Sequence, residues 1–489
     1  MTQPRGYYTA DEVRLAEAEL FTRVPDGVPM RRAAYGLATV VASELRARSG
    51  GVAGRTVALL VGSGDNGGDA LWAGSMLRRR GVAVTAVLLN PARAHAAGLA
   101  ALRRAGGRVC ADPVAAVAET SHADLVIDGI VGLSGRGPLR PGAARIVAEC
   151  DVPIVAADLP SGVDPDTGVV SGPAVRAAVT VSFGACKPVH ALAADRCGRI
   201  ELVPIGLRLP EPGLAALEPA AVGAGWPVPG ATDDKYTQGV TGVRAGSATY
   251  PGAAVLCTGA AVAATSGMVR YAGTAAAAVL ARYPEVIAVS DLAAAGRVQS
   301  WVFGPGSGTD RAARDELAEI LATDLPVVVD ADGLTVLASE PELVRDRRAP
   351  TVLTPHAGEF ERLIGREPDP DRVAAVREFA DTWQVTVLLK GRATLVAEPG
   401  APVLINEAGG SWAATAGAGD VLSGMIGALL AGGREPGWAA AAAARAHAVA
   451  AELAAHDTGP SGSGAAPISA SPLLQHLSRA VGALRSLPA

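Results

Sequence analysis

Two patterns alternate along the chain. Short, nearly continuous apolar runs stand at VALLVG (57–62), VAVTAVLL (82–89), DLVIDGIVG (124–132), PIVAADLP (153–160), VTVSFG (179–184) and IELVPIGL (200–207), separated by stretches with helical spacing. A strand covered on both faces loses the polar alternation because neither face meets water, so this grammar predicts a parallel sheet between two helical layers. Ahead of it, Thr9 and Glu12 have the spacing of a capping box opening a helix to about Phe21, and a second helical stretch covers about 30–48.

The segment LPEPGLAALEPAAVGAGWPVPGATDD interrupts the pattern with Pro, Gly and Ala. It divides the chain into a domain at 1–212, a linker at 213–234 and a second domain at 235–489. There the apolar runs resume at AAVLCTGA (253–260), VIAVSD (286–291), WVFGPG (301–306), PVVVDADGL (326–334), PTVLTPH (350–356) and TVLLKG (386–391), followed by helical stretches from about Gly419 and at 437–456. DTGPSGSGAAPISAS (457–471) has the composition of a loop. No repeat links the halves, so two different α/β domains are expected.

Composition narrows the function classes. With 43 Lys and Arg against 48 Asp and Glu, a net charge of −5 and no basic stripe, the chain is not built to bind nucleic acid. The start carries no signal-type apolar core, and the uncharged stretch 252–269 has too few large side chains for a membrane helix. Five scattered cysteines without CxxC spacing predict a reducing, cytoplasmic setting and no zinc site. The Ala-rich helices are the expected contact surface of a homo-oligomer. The 59 glycines stand beside only 4% aromatics, and many of them fall at strand ends.

The first such loop is Gly62-Ser63-Gly64-Asp65-Asn66-Gly67-Gly68-Asp69. It contains GxGxxG between a strand and a helix, where backbone amides receive phosphate, but the next strand ends in Leu88-Leu89-Asn90 without the acid that holds a ribose. The loop is therefore either a capped helix start or a ligand loop carrying three polar side chains. Two further strand ends favour the ligand loop: Asp128 before Gly132-Leu133-Ser134-Gly135-Arg136-Gly137-Pro138, and Asp158 before Ser161-Gly162.

In this order, GSGDNGGD, VIDGIVGLSGRGPLR, AADLPSGVDPDTG and VSFGACKP resemble the NAD(P)HX epimerase family over about residues 1–210. The resemblance implies a Rossmann-like three-layer sandwich in which residues 65–69, residues 132–138 and Asp158 bind the hydrated cofactor. Asn66, Asp128 and Ser161 would then hold a potassium ion. Asp158 and Lys187 become the candidates for proton transfer at C6, with Asp158 a base or a stabiliser of a cationic ring; Lys187 is otherwise a surface residue before Pro188. The family has GGDG where this chain reads GGDALW.

In the second domain Thr415-Ala416-Gly417-Ala418-Gly419-Asp420 opens a helix. Small residues there leave amides free for an oxyanion, and Asp420 is either a cap or the base that takes a hydroxyl proton during phosphoryl transfer. GPGSG (304–308), LTPHAGEF (353–360) and LKGRAT (389–394) also end strands. His356 is either structural or a substrate contact, and Asp330 and Asp332 form either a turn or a water-mediated magnesium site.

With YPGAA and DADGL, these strings resemble the NAD(P)HX dehydratases of the ribokinase-like fold over about 235–485. By that resemblance Ala253, Gly306, His356 and Asp420 contact the hydrated nicotinamide nucleotide, while Lys390, Gly391, Arg392, Ala393, Thr394 and Gly419 contact ADP, accompanied by Mg2+. The family pattern near 234–239 has a His-Lys pair where this chain has Asp234-Lys235. The expected enzyme epimerises R- and S-NADHX and NADPHX and dehydrates the S form at the expense of ADP, yielding AMP and phosphate. The alternative is a small-alcohol kinase joined to a non-catalytic nucleotide-binding domain.

Overall fold

The computed structural model describes residues 4–265, 267–345, 347–457 and 464–488. Part of the loop expected at 457–471, residues 458–463, lies outside the described residues. The chain divides into two compact units, Gly6–Gly213 and Leu214–Ala489, the latter joined by residues 1–5.

The first unit holds a seven-stranded sheet. Its strands are β1 (Thr56–Val61), β2 (Ala83–Leu88), β3 (Arg108–Cys110), β4 (Leu125–Gly129), β5 (Ile154–Ala157), β6 (Val179–Phe183) and β7 (Arg199–Val203). They lie in the order β3-β2-β1-β4-β5-β6-β7, and every pair is parallel. The order reverses between β1 and β4, and the crevice outside the carboxyl ends at such a switch point is where open α/β sheets receive ligands. Leu60 of β1 pairs with Asp128 and Val61 with Gly129, so the loops after these strands start side by side.

β1, β4, β5 and β6 bury every residue from Val57 onward, which is why their sequences run apolar without alternation. The helix Ala10–Arg23 opens with the expected capping box between Thr9 and Glu12.

The second unit contains β8 (Leu214–Ala216), β9 (Val240–Arg244), β10 (Met268–Ala272), β11 (Ile287–Val289), β12 (Ser300–Phe303), β13 (Val327–Val329), β14 (Thr351–Leu353), β15 (Thr386–Leu389), β16 (Ala393–Ala397) and β17 (Val403–Glu407). They run β8-β17-β16-β15-β14-β13-β12-β9-β10-β11 through one sheet, parallel except at β15–β16 and β16–β17. The stretch read as a linker contains β8 and the helix Pro219–Gly225.

The run at 253–260 is not a strand but part of the helix Pro251–Ala264. Its residues are small and apolar all round because it packs against the helix Ala418–Ala431. A Cβ on Gly424 of that neighbour would stand 2.1 Å from the Cys257 carbonyl oxygen. The Ala-rich helix Pro436–His456 spends Ala439 to Ala444, Ala446, Ala450 and Ala451 in the unit's own core. This accounts for them without a subunit contact, and packing through small side chains leaves little room for aromatics.

Candidate functional site

The loops after β1, β4 and β5 surround a cavity of about 880 Å³ in the first unit, lined by Gly62 to Asn66, Asp69, residues 130–140 and Asp158. The helix Asp65–Arg79 begins at Gly64 without a side-chain cap, so its first amides are available to an anion at the cavity wall. Gly132 is required by close approach: a Cβ there would lie 2.2 Å from Asn66 Oδ1.

Asn66 Nδ2 donates to the Ala157 carbonyl at 2.7 Å, which leaves its own carbonyl oxygen beside Gly132. Asp128 is buried at the end of β4. It accepts from Ser161 Oγ at 2.7 Å, Ser161 N at 2.9 Å and Ile130 N at 3.1 Å. Burial pushes its carboxyl up to about 6 against these hydrogen bonds, and no cationic side chain offsets it.

Asp158 follows β5 with a left-handed backbone, φ 70°. Its Oδ1 accepts from Phe183 N at 3.1 Å and from the Lys187 ammonium. Lys187 is not the alternative surface residue: it is 0% exposed and also donates to Phe183 O at 3.1 Å and Ser182 Oγ at 3.2 Å. Its three N–H groups are thereby spent, so it stands behind Asp158 rather than facing a substrate.

The sequence reading missed His190. Its Nε2–H donates to the Asp158 carbonyl at 2.9 Å while Nδ1 accepts from Lys187 N at 3.0 Å. Burial, then the Lys187 charge, holds it near 4 and therefore neutral, as this pair of bonds requires. Arg136 points its guanidinium at Asp164 (2.9 Å) and Asp166 (3.2 Å).

In the second unit the loops after β12, β13, β14 and β15 share one edge because their strands are neighbours and parallel. Asp330 after β13 is buried, accepting from Lys390 Nζ and Ser423 Oγ, each at 2.7 Å, and from Ala331 N at 2.9 Å. Burial works against its charge, but Lys390 and Ser423 hold the carboxyl below its ordinary range. Ala331 has φ 49°, and Asp332 Oδ2 accepts from Gly308 N at 2.9 Å, tying this turn to the GPGSG loop.

Asp420 lies in the first turn of the helix Ala418–Ala431, whose N-cap Gly417 has φ 83° and offers no side-chain cap. Burial, then the charge on Asp330, raises its carboxyl to about 7, with Lys390 pulling the other way. A Cβ on Gly419 would stand 3.4 Å from Lys390 Nζ. His447, also missed, has Nε2 2.9 Å from the Ala418 carbonyl and is kept near 4 chiefly by burial.

Gly306 and Ala253 adjoin, with a Cβ on the glycine 3.0 Å from that of Ala253. His356 caps the helix Ala357–Ile364: Nδ1 accepts from Gly358 N and Glu359 N, and 59% of its side chain remains exposed. Glu359 in turn lies 3.6 Å from Lys390 Nζ. Arg392 reaches Gly409 O at 3.2 Å, and Ala393 and Thr394 are buried in β16.

A dinucleotide-type unit with a carboxylate-lined cavity, joined in one chain to a unit presenting an aspartate at a bare helix N-terminus, defines a two-domain nucleotide-transforming enzyme. Family profiles match both: YjeF-related protein N-terminus at residues 28–189 and NAD(P)H-hydrate dehydratase at 241–472. A bifunctional NAD(P)H-hydrate repair enzyme from Mycobacterium leprae is 62% identical over 98% of this chain and 100% of its own length. A ribokinase-like superfamily protein from Enterococcus faecalis shares the second unit's fold at TM-score 0.50 and 21% identity, covering 57% of this chain and 99% of that one. An ADP/ATP-dependent NAD(P)H-hydrate dehydratase from Bacillus subtilis, crystallised with ATP and Mg2+, aligns at TM-score 0.48 and 26% identity over 55% of this chain and 98% of its own. The chain belongs to the family of bifunctional NAD(P)H-hydrate repair enzymes, which unite an epimerase and a dehydratase. Among the described residues, no helix is long and apolar enough to cross a membrane.

Proposed function

We propose that the cavity of the first unit interconverts the R and S epimers of NADHX and NADPHX, and that the Asp420 site of the second unit dehydrates the S epimer with ADP. The observation that carries the second assignment is Asp420 at an uncapped helix N-terminus beside the Lys390–Asp330 pair. Asp420 takes the proton of the C6 hydroxyl as that oxygen attacks the terminal phosphorus of ADP and the bond to AMP breaks. The free amides of the helix start receive the charge on the transferred phosphoryl group. Phosphate then leaves C6, a proton leaves C5, and the ring double bond of NAD(P)H is restored. Phosphorylation makes a good leaving group of a poor one.

The Asp330 charge is already offset by the Lys390 ammonium at 2.7 Å, so Mg2+ is assigned to the nucleotide, as Mg·ADP, and not to a site on Asp330. Potassium fits the first unit better. Asn66, Asp128 and Ser161 supply only oxygens, and the buried Asp128 carboxylate has no cationic neighbour. Bound there, K+ would supply a fixed positive charge beside the substrate. Residues 65–69 and 132–138 line the cavity around the hydrated cofactor, and Asp158 faces the reacting ring as an acceptor. Lys390 to Thr394 and Gly419 serve ADP, with Lys390 acting through its charge.

The test incubates purified protein with mixed NADHX epimers, Mg2+ and K+, with ADP or ATP, and follows NADH absorbance. Recovery with ADP is expected; absence of recovery with both nucleotides overturns the dehydratase assignment.

A further inference from the structure

C6 of a hydrated nicotinamide inverts when its hydroxyl leaves and water returns on the other face, and an uncharged hemiaminal oxygen leaves only with a proton. The two groups that a reading of the motifs would use cannot supply it. Lys187 has all three N–H bonds committed to Asp158, Ser182 and Phe183, and no exposed surface. Asp158 acts in this network as an acceptor, from Lys187 and from Phe183 N.

Asp69 has the opposite character. It lies on the helix Asp65–Arg79, lines the cavity and is 6% exposed. Its Oδ1 is buried without a hydrogen-bond partner, which a structure tolerates poorly unless a ligand or a role accounts for it. The charged groups that act on it are Asp158, Asp65 and Glu17, all acidic. Resting on the assignment of the cavity to epimerisation, we infer that Asp69 is the proton donor to the departing C6 hydroxyl. Burial first, and then those three carboxylates, raise its carboxyl well above the ordinary range, which favours the protonated form that a donor needs.

In the step itself the Asp69 proton passes to the C6 oxygen while the C6–O bond breaks. Its electrons leave with the oxygen as water, and the ring-nitrogen lone pair forms the N1–C6 double bond. Water then adds to the other face of C6, and the proton it gives up restores the Asp69 carboxyl through the water of the cavity. One water and one proton are lost and regained. Asp158, an acceptor whose charge acts on Asp69, faces the cationic ring between the departure of water and its return.

Glu17 is the rival donor: it also lines the cavity, and burial followed by Asp158 raises its carboxyl. The experiment supplies the R epimer of NADHX alone to the full chain, without nucleotide, and follows the R-to-S ratio by chromatography. Asp69→Asn is expected to lower kcat by about 100-fold or more, the usual share of a general acid, with KM within about twofold. Asp69→Ala is expected to regain rate when formate or acetate is added, which a structural role would not produce. Dehydration of pure S epimer with ADP by the same variants serves as the folding control and stays at the wild-type rate. The inference is overturned if Asp69→Asn epimerises normally, if Glu17→Gln suffers the kcat loss in its place, or if Asp69→Ala is inactive and no small acid restores it. A wild-type chain that leaves the R epimer unchanged overturns instead the assignment of the cavity, a different result from any of these.

Discussion

Lys390 and Asp330 meet at 2.7 Å beneath the helix that carries Asp420, and this buried pair sets the electrostatics of the second site. Burial and then Asp330 raise the Asp420 carboxyl while Lys390 lowers it, and the balance leaves Asp420 poised near 7 rather than at the ordinary carboxylate value. A base near neutrality combines adequate ionisation with useful proton affinity.

Asp420→Asn removes that base while preserving shape. The expected result is a fall in dehydratase kcat of about 100-fold or more, with R-to-S interconversion unchanged. Absorbance recovery measures the first, and chromatography of the epimers the second.

The pH dependence follows from the direction of the shift. Asp420 must be ionised to accept the hydroxyl proton, and its carboxyl titrates at about 7. Dehydratase kcat is therefore expected to be level above pH 7 and to fall about tenfold per unit well below it. A rate profile from pH 5 to 9 on S-NADHX checks this, and a rate unchanged down to pH 5 contradicts it.

Lys390→Met leaves Asp330 buried without its counter-charge. Removing one member of a buried pair costs about 3–5 kcal/mol, measurable by urea unfolding of the second unit. The same substitution deletes the charge that lowers Asp420, so the acid limb of the surviving activity moves to higher pH.

Gly132→Ala tests the first unit by geometry alone. The added methyl would stand 2.2 Å from Asn66 Oδ1 and must displace that side chain. Epimerase kcat is expected to fall about 100-fold, the scale of a misplacement of about 1 Å. Dehydratase activity on pure S epimer stays constant.

How much of this was legible in the chain depended on how local each signal is. The Thr9–Glu12 capping box and the strands preceding Asp128 and Asp158 depend on neighbours a few residues away, and they stand where the pattern places them. The helix Pro251–Ala264 was misread because a helix buried by another helix has no polar face to mark its period. β9 and the β16–β17 hairpin went unread, being five-residue strands without a strong apolar run. His190 and His447 were invisible because their partners are main-chain carbonyls 32 and 29 positions away. Lys187 was legible as a residue of interest but not as a buried one, since only the fold brings it beneath Asp158.

The central claim, two complementary sites in one chain, is tested most directly by Asp158→Asn on an R/S mixture of NADHX with ADP, Mg2+ and K+. The account predicts rapid recovery of NADH from the S share alone, with the R share lagging at its spontaneous rate of epimerisation. Rapid and complete recovery of both shares would contradict it.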